Sequence, residues 1–174
     1  LEMDATRIVI VVLALAFVAT PALAHVPGFP GENTSPERAL AVPDAAKSWS
    51  FYDRLERGQA KYYRVTLKDG QRFRFGAFTP SGGEFTPSVV LMSESLNRTD
   101  RVPSGVSVPE GMGAVVFEGN RPDAATYEPF TPSVNYHTVS VDRTVEEDGV
   151  YLLAVYAPRN ASGPVGVTIG YEEE

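Results

Sequence analysis

The stretch KYYRVTLKDGQRFRFGAF, residues 61–78, constrains the fold more than any other part of the chain. Polar and apolar side chains alternate through it with the two-residue period of strands half-buried against a core. Tyr63, Val65 and Leu67 share one face, while Tyr62, Arg64, Thr66 and Lys68 share the other. After Asp69-Gly70 the alternation resumes, with Phe73, Phe75 and Ala77 against Arg72, Arg74 and Gly76. A two-residue Asp-Gly hairpin would set Leu67 opposite Arg72 and mix the faces, which the pleat forbids. The connection is therefore expected to be an odd-length loop with Gly70 left-handed, or a corner between strands of facing sheets.

The same pattern recurs in KSWSFYD (47–53), where Trp49 and Phe51 alternate with Ser48, Ser50 and Tyr52. Further strands are expected at SVVLM (88–92), AVVFE (114–118), YHTVSV (136–141), GVYLLAVYA (149–157) and PVGVTIGY (164–171). No segment after residue 24 carries a helical period. Short strands between Gly/Pro turns predict an all-β fold, an antiparallel jelly-roll β-sandwich over residues 46–171. Trp49, Phe51, Val65, Leu67, Phe73, Phe75, Val90, Leu152, Ala154 and Val167 are the expected core. Residues 93–135 form a long insert, and 172–174 an acidic tail.

Residues 25–45, HVPGFPGENTSPERALAVPDA, read as an extended Pro-rich arm, with Ser35 capping a short turn through Pro36–Ala39. Ahead of the arm, Ile8–Ala19 is wholly apolar, Arg7 precedes it, and Pro21 and Ala22-Leu23-Ala24 follow. That order describes a secretory signal peptide, residues 1–24, with a hydrophobic helix and cleavage after Ala24. The alternative is an uncleaved signal anchor, for which the apolar run is short. An exported, extracellular or cell-surface protein is the expectation. The chain has no cysteine, so neither disulfides nor thiolate metal sites contribute. A net charge of −7 disfavours nucleic acid as a partner. Asn33, Asn97 and Asn160 are sequons that would carry glycans in a host with the machinery.

The order GxxxYYRVTLKDGQRFRF (58–75), PSVVLM (87–92), DGVYLLAVY (148–156) and VGVTIGY (165–171) resembles the bacterial and archaeal pre-peptidase C-terminal domains. That resemblance covers most of 58–171 and implies a small jelly-roll module with a binding or folding role rather than a catalytic one. The insert at 93–135 and the lack of an attached peptidase depart from it. HVP, SPE, KSW-x-FY and YEPFTPS also resemble exported, membrane-tethered proteins, which implies a membrane tether after GYEEE.

Three groups of residues could carry function. FTPS occurs at 78–81, 85–88 and 130–133. One reading is loops anchored by their aromatics at one end of the sandwich. The sharper one is a platform of Phe78, Phe85, Tyr127 and Phe130 stacking on a cell-surface glycan or protein partner. Arg64, Lys68, Arg72 and Arg74 share outward parity with Tyr62, either as a solvated face or as a contact for anionic envelope polymer or lipid headgroups. The third group is the two histidines, His25 and His137. Cleavage after Ala24 would give His25 a free α-amine beside its imidazole, a chelate for copper that His137 could complete. Against this, His137 alternates onto the face of Val139 and Val141, where a core histidine is the ordinary expectation. Calcium among Glu146, Glu147 and Asp148 competes with a solvated acidic turn. No G-x-S-x-G, H-E-x-x-H or phosphate-cradling loop is present, so no enzymatic activity is expected. The leading expectation is a non-enzymatic extracellular binding or adhesion module contacting glycan or protein. The alternatives are a copper-binding protein or oxidase and a structural spacer in a cell-envelope layer.

Overall fold

The structure is a computed structural model that describes residues 25–82, 85–129 and 131–173. The expected signal peptide lies outside the described residues. Among those described, the strands are β1 (Val26–Gly28), β2 (Leu40–Ala41), β3 (Trp49–Leu55), β4 (Ala60–Leu67), β5 (Arg72–Pro80), β6 (Ser88–Ser93), β7 (Gly113–Phe117), β8 (Thr126–Glu128), β9 (Ser133–Thr144), β10 (Gly149–Tyr156) and β11 (Gly163–Ile169). They form two sheets, one ordered β1-β3-β11-β5-β9-β8 and the other β2-β4-β10-β6-β7. The fold is the expected all-β sandwich. None of the helices among the described residues is long and apolar enough to cross a membrane.

Alternation places the core. Phe51 and Leu55 of β3, Tyr63, Val65 and Leu67 of β4, and Phe73 and Phe75 of β5 all point between the sheets. There they meet Leu91, Leu153, Val167 and Ile169. Trp49 packs against this cluster only partly buried, its ring stacked on Phe51 at 5.9 Å. The corner at Asp69-Gly70 takes the second of the two expected routes. β4 and β5 belong to facing sheets, and Gly70 sits at φ 74°, where a Cβ would be strained.

Asp148 tightens this corner by accepting the Asp69 N–H at 2.7 Å and Lys68 Nζ at 3.2 Å. The Asp69 amide, and then Lys68, hold its carboxyl below the usual carboxylate range. A group depressed in the folded state contributes stability above its unfolded value, near pH 4, that is lost as pH falls. Asp148→Asn is therefore expected to flatten the acid limb of stability, read as melting temperature between about pH 2 and pH 5. An unchanged acid limb would count against this role. The same engagement argues against calcium at Glu146, Glu147 and Asp148. Among the described residues no three His, Cys, Asp or Glu side chains gather as a metal group.

Several expectations need correction. The arm is not a free leader, because β1 pairs parallel with β3 and β2 pairs parallel with β4. Both sheets are thus mixed rather than purely antiparallel, and the arm closes one edge of each. Its turn, Pro36–Arg38, is a single 3-10 turn in which Ser35 makes no side-chain cap to the backbone. The Ser35 hydroxyl instead bonds the Glu37 carboxylate and lowers its proton affinity. Part of the insert folds back over the outer face of the second sheet. Val102, Val106, Val108 and Met112 there cover Tyr62, Val90, Met92, Leu152 and Ala154, forming a second apolar cluster. Val90, Leu152 and Ala154 are buried as expected, but in this outer cluster rather than between the sheets.

Candidate functional site

The sequence-predicted groups fare differently. Phe85 lies in the main core, 3% exposed, against the backbone of Gly163. Phe78 is 7% exposed and Tyr127 61%. Phe130 falls outside the described residues. Burial of Phe85 removes it from any stacking platform, and Phe78 lines a cleft whose walls do not include Tyr127. The FTPS aromatics that are described serve mainly as anchors.

The basic face also separates. Arg64 rides on β4, with Lys68 just past its end, and Arg72 and Arg74 ride on β5, so the two strands place them on opposite sheets. Arg72 is committed to Asp142 through Nε at 2.9 Å and Nη2 at 2.6 Å, and its guanidinium lies over Tyr171. Tyr62 has the predicted parity but is 1% exposed, and its hydroxyl accepts the Ser107 N–H at 2.7 Å. It offers no outer stacking surface. Asn33 is also buried, its Nδ2 donating to the Tyr62 carbonyl at 3.0 Å, so it is no glycan acceptor in the folded chain. Asn97 and Asn160 are exposed.

The histidines are the group that the structure brings together. A cleft of about 230 Å³ on the outer face of the first sheet is lined by both His25 and His137. Tyr52, Phe78, Glu128 and Asn135 are among its other walls. Register explains its shape. One cross-strand row reads Pro27, Ser50, Thr168, Gly76 and Ser140, all small or slim residues. The neighbouring row reads Tyr52, Gly166, Phe78 and His137. A floor of small side chains beside a wall of rings leaves a hollow, which the curl of the sheet deepens.

His137 reaches this hollow because of a β-bulge. The β5–β9 register runs Ala77 with Val139 but Phe78 with His137, so Thr138 is the extra residue. Thr138 turns inward, its hydroxyl donating to the carbonyls of Ala77 and Pro87 at 3.2 and 3.1 Å. The bulge inverts parity on either side of it, which buries Val139 and leaves His137 exposed on the outer face. Simple alternation had placed His137 in the core, and the bulge is what overturns that expectation.

His25 comes from the arm. The Val26 amide donates to the Ser48 carbonyl at 2.8 Å, docking β1 on β3. The His25 Nδ1 lies 2.5 Å from the Ser48 hydroxyl. Along a flat sheet, β1 and β9 would stand about 19 Å apart at ~4.8 Å per strand. Both imidazoles nonetheless line one cleft, and His25 contributes to the electrostatics of His137. Partial desolvation holds His137 below the usual histidine value. Glu128 acts in the opposite sense, and Arg74 and His25 add to the lowering. A neutral imidazole near neutral pH is the form that ligates metal.

An aromatic train leads in from the surface. Phe29, 81% exposed, lies 6.2 Å from Tyr52, which is 5.9 Å from Phe78, which is 5.5 Å from His137. Tyr52 Oη lies 3.4 Å from Thr131 Oγ1, spanning the cleft where it meets a second, mainly apolar hollow of about 230 Å³. Alternation had marked Ser50 and Tyr52 as outward. Thr168, Glu128 and Asn135 carried no local signal, because only long-range register gathers them.

No protein-family pattern matches the chain, and no characterised protein matches it in sequence. Among the solved structures similar to it are two at 13% identity. One is PliG, a periplasmic inhibitor of g-type lysozyme from Aeromonas hydrophila, covering 86% of this chain and 100% of that one with a TM-score of 0.43. The other is CorA, a surface-associated copper-binding protein important in copper acquisition in Methylomicrobium album BG8, covering 86% and 99% with a TM-score of 0.37. Neither is described as a pre-peptidase C-terminal domain. Likenesses this distant carry nothing about ligand or partner.

Proposed function

We propose that the protein is a non-enzymatic, exported binding module whose outer-face cleft holds a copper ion between His25 and His137. The observation that supports this most is that the two histidines in the chain, one on the arm and one beyond the insert, line one cleft. Cu(II) favours nitrogen donors in a near-square arrangement and outcompetes other divalent first-row ions for them. Two imidazoles alone make a weak site. Cleavage after Ala24 would add the α-amine of His25, which closes a chelate ring with Nδ1 of the same residue. Metal entry must then displace the Ser48 hydroxyl from Nδ1. Glu128 at the cleft wall brings negative charge toward the cation. The test is a Cu(II) titration of protein beginning at His25, against His25→Ala and His137→Ala. One tight equivalent, lost in both variants, is the expected result; binding unchanged by either variant would refute the assignment.

A second reading, recognition of a glycan or protein surface, draws support from Phe29, whose exposed ring packs against Tyr52 of the cleft wall. An exposed aromatic beside a hollow suits stacking on a sugar face. Binding on a glycan array that disappears with Phe29→Ser would favour this reading. Binding that persists in the variant would remove Phe29 from it.

A further inference from the structure

A second polar cluster lies away from the cleft, where the arm crosses the edge between the sheets. Lys61 points inward from β4 and is 8% exposed. Its Nζ sits 3.1 Å from Asp53 Oδ2 on β3 and 3.0 Å from the Gly31 carbonyl on the arm. Two residues along the arm, Asn33 is 3% exposed and locked beside β4. Its carbonyl accepts the Tyr62 N–H at 2.8 Å, and its Nδ2 donates to the Tyr62 carbonyl.

The cluster is under-satisfied. Asn33 Oδ1, Tyr63 Oη and Asp53 Oδ2 are all buried without a well-aligned hydrogen bond. The Lys61–Asp53 approach has the distance of an ion pair but not hydrogen-bond alignment. Burial, then the charge of Asp53, holds the Tyr63 hydroxyl far above its usual range, while the Asn33 side chain acts the other way. The Tyr63 hydroxyl is therefore a neighbour of both Asp53 and Asn33. A buried amine thus lies against a carboxylate and the arm, and the buried carboxamide of Asn33 is held on the backbone of Tyr62, the residue after Lys61, at an edge where unsatisfied polar atoms are costly.

We infer that Lys61 and Asn33 are joined by an intramolecular amide cross-link, formed with Asp53 as the proton-transfer group. Asp53, whose Oδ2 lies 3.1 Å from Lys61 Nζ, is the group placed to take a proton from the Lys61 ammonium. The freed amine attacks Cγ of Asn33, making the new C–N bond. As the tetrahedral adduct collapses, the Cγ–Nδ2 bond breaks and Asp53 returns the proton to the departing nitrogen. Ammonia leaves, and it takes up the remaining proton as ammonium in solvent. No oxidant or cofactor is consumed. The bond ties the arm to the sandwich in a chain that has no cysteine to do so. It is independent of the copper assignment.

The test is the intact mass of the folded protein, followed by a tryptic peptide map. The expected mass is one ammonia, about 17 Da, below that of the unmodified chain in essentially every molecule. The map should then contain a branched peptide joining Asn33 to Lys61, uncut after Lys61. Lys61→Arg keeps the cation but cannot form the amide, and Asp53→Ala removes the proton acceptor; both should restore the full mass. A full mass in the native-sequence protein, a loss that maps to another residue, or a loss that survives Lys61→Arg would each overturn the inference. The first measurement needs no variant, so a variant that fails to fold does not blunt the test.

Discussion

Gly166→Val is expected to destabilise the protein by about 1–3 kcal/mol, as overpacking does, and to abolish copper uptake by the cleft. Gly166 sits in the row between Tyr52 and Phe78, and the Phe78 ring lies across its Cα. A Cβ built at this position falls inside that ring. The ring cannot retreat through the backbone beneath it, so it must swing out over the outer face. Phe78 walls the same cleft as His137 and packs against that imidazole, so its displacement fills the site. Denaturant unfolding reads the first effect and a Cu(II) titration the second. Adding Phe78→Ala to Gly166→Val should recover part of the lost binding, because neighbouring substitutions couple. A Gly166→Val protein as stable as its parent and still binding copper would contradict this account of the cleft.

The second large effect concerns the amine. One additional residue placed ahead of His25 leaves both imidazoles intact and replaces the terminal amine with a peptide nitrogen. Copper affinity is expected to fall at least about a hundredfold, some 2.7 kcal/mol. His137→Ala should cost a similar amount by removing a ligand from the opposite side of the cleft. Acid should also release the metal, since protons compete for each nitrogen. The lowered proton affinity of His137 means that its contribution persists to more acidic pH than an ordinary histidine allows. Parallel titrations at several pH values check both points. A chain extended by one residue that binds as tightly as the parent would remove the amine from the site.

Much of the fold was legible because alternation reports which face a strand buries. The pattern of residues 61–78 placed the inward residues of β4 and β5 correctly, and the parity conflict at Asp69-Gly70 correctly required an unusual corner. What stayed hidden was non-local. β8 is three residues long at a sheet edge, too short to carry a period. β1 and β2 exist only because β3 and β4 offer them free edges, so the arm read as merely extended. Tyr62 showed outward parity, yet that face is roofed by residues some forty positions later in the chain.

The cleft was legible in its two histidines and not in its geometry. The sequence singles out His25 and His137, but strict alternation turned His137 toward the core. One extra residue, Thr138, reverses that, and its inward hydroxyl shows why the bulge holds. Residue type cannot announce such a bulge, because threonine suits an ordinary strand position equally well. Lys61 and Asp53 carry no signal of burial in the sequence. Their burial follows from the arm, whose docking no local pattern reveals.

The most direct test of copper bound between His25 and His137 is an electron paramagnetic resonance spectrum of protein beginning at His25, loaded with one equivalent of Cu(II). A single axial signal with hyperfine structure from three nitrogens is expected, reduced to two in His137→Ala. A spectrum of hydrated or multiply bound copper, or one that His137→Ala leaves unchanged, would contradict that assignment.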